Sequence, residues 1–186
     1  MDQERRQFYR IDQPVVIDFK VVSREEVADS SRPYQFNVSP YFLLQSQLAE
    51  IDSESQHLIY KIGESTPHLA TYLQQLNKKL DLIASTIAGS DLNLEASQPQ
   101  TINLSEGGLS FATHEPIPLE SYLALKLVFP DNGLGLLLYA EVQRCSAIDE
   151  GYELGVSFMK MPESCRTLLA RLILEAQAKE RQRHSE

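Results

Sequence analysis

Residues 15–22 alternate. Val15, Ile17, Phe19 and Val21 fall on one side of the chain, and Val16, Asp18, Lys20 and Val22 on the other. A period of two predicts a strand. The head before it, residues 1–13, is polar and shows no period. Residues 23–38 are turn-rich, with 34–38 a candidate for a brief strand.

The period then changes. Ser39-Pro40 reads as a helix start, a side-chain cap followed by proline in the first turn. Leu44, Leu48, Ile51, Leu58 and Ile62 recur at helical spacing, interrupted by Ser55, and Gly63 is expected to stop that helix. Residues 64–67 start another. In it Leu69, Leu73, Leu76, Leu80, Ile83 and Ile87 follow alternating steps of four and three, and Gly89 is expected to end it. Such an a/d seam fits either an intramolecular helical hairpin or a coiled coil between chains, or two hairpins pairing as a four-helix bundle.

Five further strand candidates follow at 100–104, 109–113, 122–129, 134–145 and 152–159, separated by turn signals rich in Gly, Pro, Asn and Asp. Short antiparallel strands with tight turns predict a small barrel, an arrangement without free sheet edges. A terminal helix beginning near Pro162 carries an apolar stripe of Cys165, Leu168, Leu169, Leu172 and Ala176 suited to plugging that barrel. The tail, 179–186, is polar and expected to fray. The fold class is mainly β with α. The chain divides into an arm with the first strand (1–38), an inserted helical region (39–89), and the remaining strands with the terminal helix (90–186).

Charge narrows the function. The chain has 186 residues and a net charge of -9, from 17 Lys+Arg against 26 Asp+Glu. This argues against nonspecific binding to DNA, RNA or an anionic membrane, which requires net positive charge. An anionic ligand must be held by a local arginine cluster, and the head supplies one, with Arg5, Arg6 and Arg10 against Asp2 and Glu4. Two cysteines make no disulfide or metal framework, and four histidines show no ligand spacing. No metal or cofactor is expected. With neither a leader-like segment nor an apolar run near the ~20 residues of a membrane span, the expectation is a cytoplasmic protein without membrane insertion.

An enzyme is not expected. Ser105 lies outside any GxSxG elbow, Gly133-Leu134-Gly135 lacks the remaining glycine of a dinucleotide fingerprint, and His114 reads as an exposed turn residue. More informative are Arg6-x-x-x-Arg10 before the first strand and Asn103-x-Ser105-x-x-Gly108, with Gly107 beside it, at a strand-to-turn junction. Singly these are ordinary features: arginines solubilise a terminus, Asn and Ser cap turns, and Gly supplies positive φ.

In this order and context the two motifs resemble the PilZ domain, a bacterial family that binds the second messenger cyclic di-GMP. The resemblance covers roughly residues 4–22 and 99–176. It implies a six-stranded antiparallel barrel with a helix at its mouth, and a ligand site formed by Arg5, Arg6, Arg10, Asn103, Ser105, Gly107 and Gly108. In the family the position of Arg5 can influence whether one or two ligand molecules bind. The residue types suit the ligand. Guanidinium groups fork onto phosphate oxygens or guanine O6/N7 and stack on bases, and Asn and Ser bond polar edges from a fixed strand end. The inserted helical region departs from a minimal PilZ domain and resembles an atypical subgroup that self-associates into a helical tetramer, although that subgroup departs from the ligand motifs kept here.

The resulting expectation is a cyclic di-GMP receptor whose arm changes conformation on binding. It would form a homo-oligomer, dimer or tetramer, through the helical region and signal through a downstream protein of unknown identity. The alternative is an assembly protein that oligomerises without binding nucleotide.

Overall fold

The computed structural model of the chain describes residues 9–91, 98–131 and 134–183. Among these are six strands: β1 (Ile11–Val22), β2 (Gln100–Ser105), β3 (Gly108–Thr113), β4 (Tyr122–Phe129), β5 (Leu134–Ile148) and β6 (Gly151–Met159). They close into an antiparallel barrel in the order β1-β2-β3-β6-β5-β4. Strand β1 begins at Ile11, ahead of the visible alternation, because its first part pairs with β2 and its second with β4. That double pairing closes the barrel.

Four helices complete the described chain: α1 (Arg24–Asp29), α2 (Leu44–Ser65), α3 (Pro67–Asp91) and α4 (Glu163–Arg183). The barrel interior is filled by inward residues such as Ile102, Leu104, Phe111, Leu125, Leu136 and Leu154, and α4 lays Cys165, Leu168, Leu169, Leu172 and Ala176 onto them. Each such burial is worth about 1.5–3 kcal/mol for a large side chain. The terminal helix therefore plugs the barrel as its stripe predicts.

A second core lies outside the barrel wall. Val27, Phe36 and Phe42 pack on Val22, Ala124, Val128, Leu137 and Tyr139, the outward residues of β1, β4 and β5. This cover explains why β4 and the first half of β5 read as nearly continuous apolar runs, since both of their faces are buried. Gly135 serves the same contact. A Cβ there would lie 2.8 Å from the Phe42 ring.

Several expected boundaries move, each for a local reason. Residues 34–38 form no strand; they cross the second core as irregular chain. Within 23–38 the structure adds α1, started by a capping box in which Ser23 Oγ accepts from Glu26 N–H and Glu26 Oε2 accepts from Ser23 N–H. Ser39-Pro40 makes a turn instead of starting a helix. Ser39 Oγ accepts from Tyr41 N–H and its carbonyl from Phe42 N–H, which swings Phe42 into the second core and delays α2 to Leu44. Gly63 lies within α2, and the break falls at Thr66, which Pro67 pushes out of helical conformation. Gly89 lies within α3; glycine weakens a helix interior by about 1 kcal/mol without stopping it. The polar tail continues α4 to Arg183.

Helices α2 and α3 fold back on one another, but not through the leucine seam. Ala70 and Ala84 are buried, Leu73, Asn77 and Asp81 are half-buried, and Asn77 Nδ2 donates to Asp52 Oδ1 of α2 at 3.1 Å. The contact face thus runs along 70, 77 and 84, one position from the leucines. Leu69, Leu76, Leu80, Ile83 and Ile87 are exposed, and only Leu73 of the seam is half-buried.

Candidate functional site

Arg10 is the last residue before β1, and the antiparallel register sets Asp12 of β1 opposite Asn103 of β2. Asn103 Nδ2 donates to Asp12 Oδ1 at 2.8 Å, and Arg10 Nη1 donates to Asn103 Oδ1 at 3.0 Å. The Asn103 amide is therefore oriented by an acid on one side and presents its acceptor to a guanidinium on the other. Two positions far apart in sequence are brought into direct contact by strand pairing.

Ser105 and Gly108 flank the two-residue turn between β2 and β3. Ser105 is buried and its Oγ donates to the Gly108 carbonyl at 3.0 Å, so the hydroxyl braces the turn. The Gly107 carbonyl accepts from Phe158 N–H at 2.9 Å. At Gly108 a Cβ would fall 2.1 Å from the Val156 carbonyl oxygen, so β3 and β6 approach in a way only glycine allows. Positive φ is not what these glycines provide; among the described glycines it occurs at Gly151, φ 114°, in the β5–β6 turn.

Arg10, Ser105, Gly107 and Gly108 share one open cleft of about 470 Å³ on the barrel surface. That volume lies in the usual range for small-molecule sites. Its other wall is Ser110, Gln143, Arg144, Gly155 and Ser157, none of which the sequence motifs mark. The available signal was the change at Glu141-Val142-Gln143-Arg144, where the apolar run of β5 turns polar and its pairing with β6 shifts register. Arg5 and Arg6 lie outside the described residues.

His114 is exposed in a bend after β3, as its sequence context predicts, and both cysteines are free thiols. Gly133 lies outside the described residues, and Gly135 belongs to β5. Among the described residues no cluster of three or more His, Cys, Asp or Glu could hold a metal ion, and no helix is long and apolar enough to cross a membrane.

The family profile of the PilZ domain matches residues 83–175, half of the chain. Asn103, Ser105, Gly107 and Gly108 lie within the match, and Arg10 precedes it. No curated protein matches the chain by sequence. Among solved structures, the chain is similar to a pathogenic protein from Xanthomonas campestris described as a new tetrameric PilZ domain self-assembled via an unusual helical bundle. The TM-score is 0.53 at 16% identity, covering 94% of this chain and 90% of that one. At that identity the likeness concerns the fold, helical insertion included. With its closed six-stranded barrel, its plugging helix and the profile match through the turn that carries Asn103, Ser105 and Gly108, the chain belongs to the PilZ domain family.

Proposed function

We propose that the chain is a receptor for cyclic di-GMP that binds the dinucleotide in the cleft beside the β2–β3 turn. The carrying observation is the 3.0 Å contact between Arg10 and Asn103 next to Ser105 and Gly108. It joins the two halves of the ligand motif at one place. The ligand brings two phosphodiester charges and two guanines. Arg10 offers a planar cation for phosphate or base, and Asn103 offers an amide whose orientation Asp12 sets. Arg5 and Arg6, a few residues upstream, would be drawn to the bound dianion, changing the conformation of the arm and the surface offered to a partner protein. The chain acts by binding and not by catalysis, in the cytoplasm.

Calorimetry with cyclic di-GMP tests the proposal. Micromolar or tighter binding is expected for the wild type, weakened at least roughly tenfold in Arg10→Ala and in Asn103→Ala by loss of charge-assisted hydrogen bonds. No heat with the wild type, or affinity unchanged in both variants, overturns it.

We further propose that this receptor self-associates through α3, with a second copy of the chain covering the leucine seam. The supporting observation is that the hairpin is already closed along Ala70, Asn77 and Ala84 while the seam beside it stays exposed. The tetrameric helical bundle of the Xanthomonas campestris protein is a precedent. A pure assembly role without nucleotide is less well supported, because the Arg10–Asn103 contact and the turn geometry are intact.

A further inference from the structure

The wall of the cleft opposite the β2–β3 turn carries a guanidinium that no motif contains. Strands β5 and β6 pair in step from Tyr139 to Val142 and again from Arg144 to Ile148, with a register shift between them at Gln143. The shift sets Arg144 opposite Gly155, which on its other side pairs with Ser110 of β3. A Cβ on Gly155 would lie 3.4 Å from both Cβ and Nε of Arg144, so the arginine stem lies across the bare backbone of β6. Its Nη2 then meets Glu153 Oε2 at 2.6 Å. The other oxygen of Glu153 accepts from Ser110 Oγ at 3.4 Å.

In this ion pair Arg144 is exposed and Glu153 half-buried, with 55% and 37% of their side-chain surface accessible. Such pairs contribute little to stability, so exchanging the partner is energetically easy. The carboxylate takes one guanidinium donor, Nη2, to which a phosphodiester oxygen could bind instead, since guanidinium recognises both anions in the same planar way. Arg10, just ahead of β1, and Arg144, in β5, also border the same cleft, which suits a ligand with two separate negative charges.

We infer that Arg144 is a further ligand-binding residue of this site, exchanging Glu153 for a phosphodiester oxygen of the dinucleotide, with Glu153 acting as a built-in competitor. The inference rests on the receptor reading above. Calorimetry with cyclic di-GMP on Arg144→Ala, Arg144→Lys, Glu153→Gln and the Arg144→Ala/Glu153→Gln pair tests it, with Asn103→Ala as reference and thermal melts to verify folding. Arg144→Ala is expected to weaken binding roughly tenfold to a hundredfold, and Arg144→Lys to recover part of the loss. Glu153→Gln is expected to tighten binding roughly threefold by removing the competitor, and that gain vanishes when Arg144 is absent. Wild-type affinity in Arg144→Ala, or a Glu153→Gln effect that persists without Arg144, overturns the inference while a weakened Asn103→Ala leaves the receptor reading standing. Absence of binding by the wild type removes both.

Discussion

Two glycines separate the site from the scaffold at the residue scale. Gly108 and Gly135 both sit where a Cβ would collide, the first with the Val156 carbonyl beside the cleft and the second with Phe42 in the outer core. Gly108→Ala is expected to destabilise the fold by about 2 kcal/mol, as overpacking does, and also to weaken cyclic di-GMP binding, because β3 must separate from β6 under the cleft. Gly135→Ala is expected to destabilise comparably and leave affinity unchanged in the folded fraction. Denaturant melts paired with calorimetry distinguish the two. Ser105 was legible as a motif residue, but its task was not. The hydroxyl braces the turn through the Gly108 carbonyl, a contact set by the backbone path, which no residue spacing displays.

The hairpin carries the next two expectations, at the scale of elements. Leu76 is 40% exposed in a single chain. Leu76→Asp is therefore expected to leave helicity and barrel stability unchanged and to reduce the sedimentation coefficient to that of a monomer. Unfolding instead would mean that the seam packs within the chain. Asp52, half-buried on α2, faces Asn77 and Asp81 of α3 and Arg171 of α4. Burial, and secondarily the Asp81 charge, push its carboxyl above the usual aspartate range against the opposing pull of Arg171. A raised folded-state value means that the native state holds the proton more tightly, so stability falls as pH rises through it. Asp52→Asn keeps an acceptor for Asn77 and is expected to raise Tm at neutral pH, with the gain fading as the pH drops below the ordinary aspartate range. The helix positions themselves were legible from period, but their ends were not. The start of α2 depends on Phe42 finding a core, and the end depends on Pro67 more than on Gly63.

For the whole molecule, the receptor reading couples the arm to the barrel. Binding of the dinucleotide is expected to slow tryptic cleavage after Arg5, Arg6 and Arg10 in the wild type and not in Asn103→Ala, as read by mass spectrometry of the released peptides. Unchanged cleavage at saturating ligand would exclude arm engagement. With a net charge of -9, the receptor is expected to disfavour longer polyanions, so that a nucleic acid of many phosphates should not compete with the dinucleotide for the basic residues near the cleft.

What the sequence determined by itself was the order of the six strands and the long helices, together with half of the residues proposed for the site. Alternation and helical spacing depend only on side-chain hydrophobicity and backbone period, so six strands, the inserted helices and the plugging stripe of α4 were readable, as were Asn103, Ser105 and Gly108 through a local motif. The tertiary structure decided which apolar surfaces find partners. Phe42 and Val27 cover the outside of β4 and β5, and α2 takes the alanine face of α3 instead of its leucines. It also decided the far wall of the cleft. Arg144 reaches that wall through a one-residue register shift and the missing side chain of Gly155. Pairing between distant strands sets both, and local periodicity carries no information about it.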